Sequence, residues 1–233
     1  MAGVTWLWYS TRASGTVALV LLTLAIVLGV AQVSRVRSEM LPRFVLDGLH
    51  RHIALLAGVF LTIHVLTAVL DTFAPINLFD VFIPFVGAYR PLWLGLGATA
   101  LDLLIAVGIT SAFRERLGHH SWRIVHWFGY VVWPVAFVHA LGTGSDIRQG
   151  WMGFIAVVCA AAVLTAGLIR IGIGWPENRG RRVAAAGAAL TYVVLIMIWV
   201  PSGPLGRNWA ARAGTPQRLL PHARTATSAR PGS

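Results

Sequence analysis

The sequence contains few charged residues, one cysteine and no lysine. Of its 233 residues only 12% are charged, whereas 57% are hydrophobic and the mean hydropathy is +0.71. Soluble domains carry about 25% charged residues, so a water-soluble globular fold is excluded. Disordered chains are poor in apolar residues, which excludes disorder over most of the length. The single cysteine, Cys159, excludes an internal disulfide and a cysteine metal cluster, and we expect it to be a packing residue.

The basic residues are all arginine, and they outnumber the acidic residues by 19 to 8. So basic a composition raises the possibility of nucleic-acid binding. The arginines, however, bracket long apolar segments and form no single stripe. In a membrane protein such arginines set the topology. We therefore predict contact with membrane lipid and no binding of nucleic acid.

Six segments are long and apolar enough to cross a bilayer, which takes about 20 residues. They lie at 15–33, 53–70, 92–113, 124–141, 151–169 and 183–200. The predicted fold class is all-α, a polytopic membrane protein with a six-helix bundle over 15–200. Residues 1–14 are predicted to be an interfacial N-terminal segment, and 74–91, broken by prolines, a loop or short helix on the outer face. Residues 201–233, rich in Pro, Gly and Arg, predict a disordered tail.

The arginines also predict an orientation. Eleven lie in or beside the first, third and fifth connections, namely Arg35, Arg37, Arg43, Arg51, Arg114, Arg116, Arg123, Arg170, Arg179, Arg181 and Arg182. Three lie in the N-terminal segment and the other connections: Arg12, Arg90 and Arg148. The positive-inside rule places the first set in the cytoplasm. We expect a multi-pass protein of a bacterial-type plasma membrane, with both termini extracytoplasmic.

Four histidines stand out because they lie within or at the ends of two apolar helices: His50 and His64 on the second, His126 and His139 on the fourth. Ionisable groups inside a bilayer are costly and are candidates for function. His50 and His64 are 14 residues apart, about 21 Å along nearly one helix face. Both helices cross in the same direction, so His50 is level with His126 and His64 with His139. Two facing histidines can ligate one haem iron, so two levels predict up to two haems between these helices.

Two details of this site stay open in the sequence. His126 and His139 are 13 residues apart and face different sides of a straight helix, so we expect a kink at Pro134 to bring them together. His52 competes with His50 as a ligand, although its spacing to His64 fits one helix face less well.

Other residues near the histidines have a functional and a structural interpretation. Arg51 and Arg123 lie beside His50 and His126 and are predicted to pair with haem carboxylates, as Arg90 and Arg148 would at the outer level; snorkelling is the alternative. Asp102, in the third span, fits proton transfer, orientation of a ligand imidazole or an interhelical hydrogen bond. Trp133 fits a spacer between haems or, preferably, a packing residue.

This pattern resembles the ferric reductase-like transmembrane domain family. The family includes ferric reductases, NADPH oxidases and the haem-binding membrane subunit of the bacterial periplasmic methionine sulfoxide reductase system. The resemblance is carried by the pair His50–Arg51, His64, the Trp-Arg-x-x-His of 122–126, and His139 with the LGTGSD that follows at 141–146. It implies that the four histidines ligate one or two b-type haems, which pass electrons across the membrane.

The sequence departs from the larger family members in one respect. Ferric reductases and NADPH oxidases continue into a cytosolic domain that binds FAD and NADPH, whereas no nucleotide-binding motif occurs here. The resemblance therefore implies an electron-transfer subunit with no FAD or NADPH site in this chain. Its donor would be a separate flavoprotein or a quinol, and its acceptor is unidentified. The alternatives are a haem-independent transporter or channel that uses the histidines for a metal ion or protons, and an assembly subunit.

Overall fold

The structure, a computed structural model, describes residues 5–34, 42–144, 146–173 and 175–220. Within these residues the chain is helical and contains no strand. The helices are α1 Trp6–Val33, α2 Arg43–Leu70, α3 Leu78–Phe82, α4 Pro91–Ala112, α5 Arg114–Leu117, α6 His119–His126, α7 Gly129–Thr143, α8 Gly150–Gly172, α9 Arg179–Ser202 and α10 Trp209–Arg212. The short α3 lies in the proline-broken segment for which a loop or short helix was expected.

The predicted six-helix membrane fold is confirmed. In the described part of the chain, six helices are long and apolar enough to span a bilayer. They are α1, α2, α4, the fourth span His119–Thr143 formed by α6 and α7, α8 and α9. The ends of these helices define two faces. The arginine-rich face carries Arg51, Arg114, Arg116, Arg123, Arg170, Arg179, Arg181 and Arg182, and the opposite face carries 71–90, 146–149 and 203–220.

Helix α1 begins nine residues earlier than the apolar run in the sequence, so residues 6–14 belong to the bundle and not to a separate N-terminal segment. The Thr5 side chain caps the helix by accepting from the Trp8 N–H at 3.2 Å. The polar residues that follow do not end the helix, because the Ser10 and Ser14 hydroxyls donate to carbonyls four residues earlier.

Helix α1 is the centre of the bundle and packs against α2, α7 and α8. Its small buried residues, among them Ser14 and Ala18, allow close approach of its neighbours, as is usual in membrane bundles. The core between α1, α7 and α8 contains Leu19, Trp133, Phe137, Leu141, Ala156 and Cys159. Trp133 therefore has the packing position that the sequence favoured, and Cys159 is buried beside it.

The fourth span is irregular between its two histidines. Helix α6 ends at His126 and α7 begins at Gly129, and the backbone between them makes tighter bonds to carbonyls three residues earlier. These run from Phe128 to Val125, from Tyr130 to Trp127 and from Val131 to Phe128. Such turns advance about 120° per residue against about 100° in an α-helix, which offsets part of the roughly 140° that a 13-residue spacing leaves short.

The break therefore precedes Pro134, where the sequence placed the kink. Pro134 lies inside α7, and having no N–H it leaves the carbonyl of Tyr130 without its helical donor. The tightened backbone ends at this point of α7, so the proline and the irregular turn are neighbours in one distorted stretch.

Residues 201–220 are folded, which corrects the prediction of a disordered tail for that part of 201–233; residues 221–233 lie outside the described chain. The segment returns over the opposite face, where the Trp209 indole donates to the Gly142 carbonyl at 3.1 Å and packs against Trp93. The Arg90 side chain donates to the Thr143 carbonyl at 2.8 Å and to the Thr215 hydroxyl at 2.9 Å. Composition missed this segment because its order comes from contacts with distant helices.

The hydrogen bond from the Trp133 indole to the Thr23 hydroxyl, 2.8 Å long and buried, joins α7 to α1 at the core. Substitution Thr23→Val removes the acceptor and should destabilise the protein by about 0.6–2 kcal/mol, the range for interhelical hydrogen bonds in membranes. The measurement is thermal unfolding in detergent. Thr62→Val is the matched control, because the exposed Thr62 hydroxyl bonds only the Gly58 carbonyl of its own helix. Equal midpoints for the two variants would contradict this role.

Candidate haem-binding site

The structure brings the four histidines together in two pairs. The ring centres of His50 and His126 are 6.3 Å apart, and those of His64 and His139 are 6.4 Å apart. Within each pair the ring planes are far from parallel, at 68° and 84°. One pair lies toward the arginine-rich face and the other toward the opposite face, which is the arrangement that the helix directions and spacings indicate.

The remaining histidines lie elsewhere. The exposed His52 ring has its Nδ1 2.7 Å from the Gly48 carbonyl of its own helix, so His50 is the residue that faces His126. His119 and His120 are exposed near the start of α6, and His222 lies outside the described residues.

Three of the paired histidines are held by backbone carbonyls of a neighbouring helix. The Nδ1 atoms of His50, His64 and His139 lie 3.0, 2.8 and 2.8 Å from the carbonyl oxygens of Ala25, Thr11 and Trp93. A carbonyl can only accept, so each Nδ1 carries the proton and donates it. The neutral ring then has its lone pair on Nε2, the nitrogen left free to bind a metal.

A glycine lies beside each of these rings, four residues after the carbonyl that accepts the hydrogen bond. The sets are Thr11 and Gly15 with His64, Ala25 and Gly29 with His50, and Trp93 and Gly97 with His139. A Cβ atom on Gly15 would lie 2.8 Å from the His64 ring, and one on Gly97 would lie 2.5 Å from the His139 ring. At Gly15 and Gly97 the missing side chain is therefore what lets the imidazole reach the helix backbone, whereas a Cβ atom on Gly29 would lie at an ordinary contact distance of 3.5 Å from the His50 ring.

These glycines and carbonyls were missed in the sequence analysis, although a signal exists. Gly15 and Gly29 are 14 residues apart, the same spacing as His50 and His64, and they occupy the preceding span. Because two antiparallel helices in contact keep a constant register, equal spacings on both indicate two equivalent contacts. Asp102, for which orientation of a ligand imidazole was one hypothesis, takes no part in these contacts and is partly exposed midway along α4.

The geometry fits haem. Transition metals bind imidazole nitrogen at about 2 Å, so two imidazoles on opposite sides of one ion have ring centres about 6 Å apart. Each level supplies two imidazoles, which is the number of axial positions that a porphyrin leaves on iron. Among the described residues, no group of three or more His, Cys, Asp or Glu side chains could hold a bare metal ion. Helix α2 packs mainly on α1 and makes few backbone contacts with the fourth span.

A cavity beside the His64–His139 pair is lined by residues of α1, α2, α4 and α7, most of them apolar. Toward the opposite face it is bordered by an ion pair between Arg12 and Asp146, and the Arg12 guanidinium also lies 4.0 Å from the centre of the Trp8 ring. The pocket thus combines an apolar interior with a charged rim, as cofactor sites usually do.

The arginines considered for haem carboxylates differ in their surroundings. Arg51 and Arg123 are exposed on the arginine-rich face, and neither forms an ion pair within the described chain. Arg90 is 5% exposed and its guanidinium donates to the carbonyls that end α7. Arg148 donates to the carbonyls of Leu205 and Gly206. Arg90, which also bonds the Thr215 hydroxyl, and Arg148 therefore hold the folded segment 203–220 in place.

The chain matches a protein family described as the ferric reductase like transmembrane component over residues 14–137. The chain belongs to this family. The matched region contains most of α1, all of α2 and α4 and most of the fourth span, including His50, His64 and His126, and it ends two residues before His139. A search of curated proteins and a search of solved structures found no match. The family thus corresponds to the part of the bundle in which glycine-bearing helices support histidine-bearing ones.

The contact between Gly97 and His139 gives a direct test of the site. Gly97→Ala places a methyl group 2.5 Å from the His139 ring, and overpacking of this kind costs about 1–3 kcal/mol. We expect a lower midpoint of thermal unfolding in detergent. Gly108→Ala on the same helix is the control, because a Cβ there meets nothing within 4 Å and alanine favours helix. A Gly97→Ala midpoint at or above that of the control would show that the ring does not occupy this position.

Proposed function

We propose that the protein transfers electrons across a membrane through two b-type haems, one held by His50 and His126 and the other by His64 and His139. The observation that carries this proposal is the pair of imidazole separations, 6.3 and 6.4 Å, at two levels of one bundle. Membership of the ferric reductase like family supports it.

The bound haem supplies a one-electron ferric/ferrous couple, and the protein orients its ligands and shields it from water. The carbonyls of Ala25, Thr11 and Trp93 keep three ligand imidazoles in the tautomer that presents Nε2. The apolar lining between the helices excludes water. Arg51 and Arg123, whose side chains are exposed near the arginine-rich face, would pair with haem carboxylates through bidentate contacts.

The orientation of the bundle belongs to the same proposal. Under the positive-inside rule the arginine-rich face is cytoplasmic, in a bacterial-type plasma membrane with both termini outside. Electrons then enter at the His50–His126 level from a separate flavoprotein or quinol. They leave from the His64–His139 level to an acceptor on the opposite face.

The alternative function, a transporter or channel that uses the histidines for a metal ion or protons, fits the contacts less well. A carrier of that kind needs imidazoles that can turn or change protonation along a path. Here three of the four rings are fixed by carbonyls at 2.8–3.0 Å, and Gly15 and Gly97 leave no space beside two of them. Fixed imidazoles suit axial ligation.

The proposal predicts a coloured protein. Purified from a membrane that supplies haem, it should show the α-band of b-type haem in a reduced-minus-oxidised spectrum, with two haems per chain. The measurement is the spectrum together with a haem and protein assay of one sample. Folded protein without an α-band would overturn the proposal.

Single histidine variants should separate the two levels. His64→Ala and His139→Ala should each lose one haem of two and leave the other, because the two pairs share no ligand. Haem content per folded chain is the measurement. His52→Ala is the matched control and should keep both haems, since its ring bonds only its own helix. Unchanged haem content in both His64→Ala and His139→Ala would reject the assignment of ligands.

A further inference from the structure

The environment of His126 differs from that of the other three histidines. Its Nδ1 lies 3.5 Å from the Ser111 hydroxyl oxygen, whereas the other three reach backbone carbonyls at 2.8–3.0 Å. Ser111 follows Gly97 by 14 residues on α4, just as Gly29 follows Gly15 on α1. Serine therefore occupies the fourth position of a pattern in which the other three positions are glycine.

The serine side chain changes what the imidazole can reach. At the glycine positions the ring approaches a carbonyl four residues earlier, which for Ser111 would be that of Val107. The Ser111 hydroxyl instead accepts a hydrogen bond from the Trp122 indole at 3.2 Å, and the Val107 carbonyl accepts one from the Thr110 hydroxyl at 3.2 Å. The Trp122 ring also stacks on the His126 ring, with centres 4.9 Å apart and planes at 29°. Ser111 thus joins His126 to α4 through one longer contact.

Hydrogen bonding at Nδ1 controls how strongly an imidazole donates to iron. A bond from Nδ1–H to a good acceptor makes Nε2 more basic and favours ferric iron, which lowers the reduction potential. A hydroxyl at 3.5 Å that already accepts from an indole forms a weaker hydrogen bond with the Nδ1 proton than a carbonyl at 2.8 Å does. Of the four imidazoles, His126 therefore has the weakest hydrogen bond at Nδ1.

We propose that Ser111 is a positioning residue for His126 and, through it, sets the reduction potential of the haem at the His50–His126 level. The inference rests on the proposed function, since it concerns a ligand of that haem. The serine holds the potential above the value that glycine would allow, and below the value reached when nothing accepts from Nδ1.

The test is a redox titration of the α-band in the purified haem-loaded protein. The component to follow is the one that His126→Ala removes. Ser111→Ala removes the hydroxyl that accepts from Nδ1 and should raise the midpoint potential of that component. The expected rise changes the equilibrium constant for reduction several-fold, where a tenfold change corresponds to 59 mV. Ser111→Gly opens the Val107 carbonyl and should lower it. Ser111→Thr keeps the hydroxyl and should stay close to the wild type.

The controls distinguish the role of Ser111 from haem binding itself. Thr99→Val, on the same helix with a hydroxyl that bonds only the Gly95 carbonyl, should change neither potential. A wild-type protein without an α-band rejects haem binding itself. Two haems with unchanged potentials in Ser111→Ala and Ser111→Gly, or shifts of the same sign in both, reject the role of Ser111. Loss of the component in Ser111→Ala but not in Ser111→Thr supports positioning, and its loss in both contradicts it.

Discussion

The structure depends on a single kind of contact, the hydrogen bond from a histidine Nδ1–H to a backbone carbonyl of a neighbouring helix. It occurs from α2 to α1 at two levels and from the fourth span to α4 at one. Each contact satisfies a polar ring that would otherwise be costly in the membrane. Each also fixes the tautomer, so that the same bond stabilises the helix contact and leaves the lone pair on Nε2.

This contact constrains the helices that carry no histidine. The carbonyl of a helix is shielded by the side chain four residues later, so only a small residue at that position admits an imidazole ring, and Gly15 and Gly97 supply it. The rest of α1 must then hold α2, α7 and α8 at matching depths, which its small buried residues permit. Serine at 111 keeps the pattern but alters its chemistry.

Much of the fold follows from local sequence, and so do the histidines of the site, but the groups that support them do not. Apolar runs of sufficient length locate the six spans, and the 14-residue spacing of His50 and His64 places both on one helix face. The position of the break in the fourth span could not be read in this way, because it depends on backbone bonds three residues apart around Trp127. The glycines beside the histidine rings were not identified from the sequence for a related reason, because a glycine in an apolar helix can have several structural roles.

The sequence by itself determined that the chain spans a membrane, how many times it crosses, and which ionisable groups lie inside, because these depend on length, hydropathy and residue type alone. The tertiary structure decided which atoms meet. It selected His50 over His52, gave the histidines backbone partners, and folded residues 201–220 onto Trp93 and Arg90. Such contacts join residues that are far apart in sequence, and their geometry arises only when whole helices are packed together.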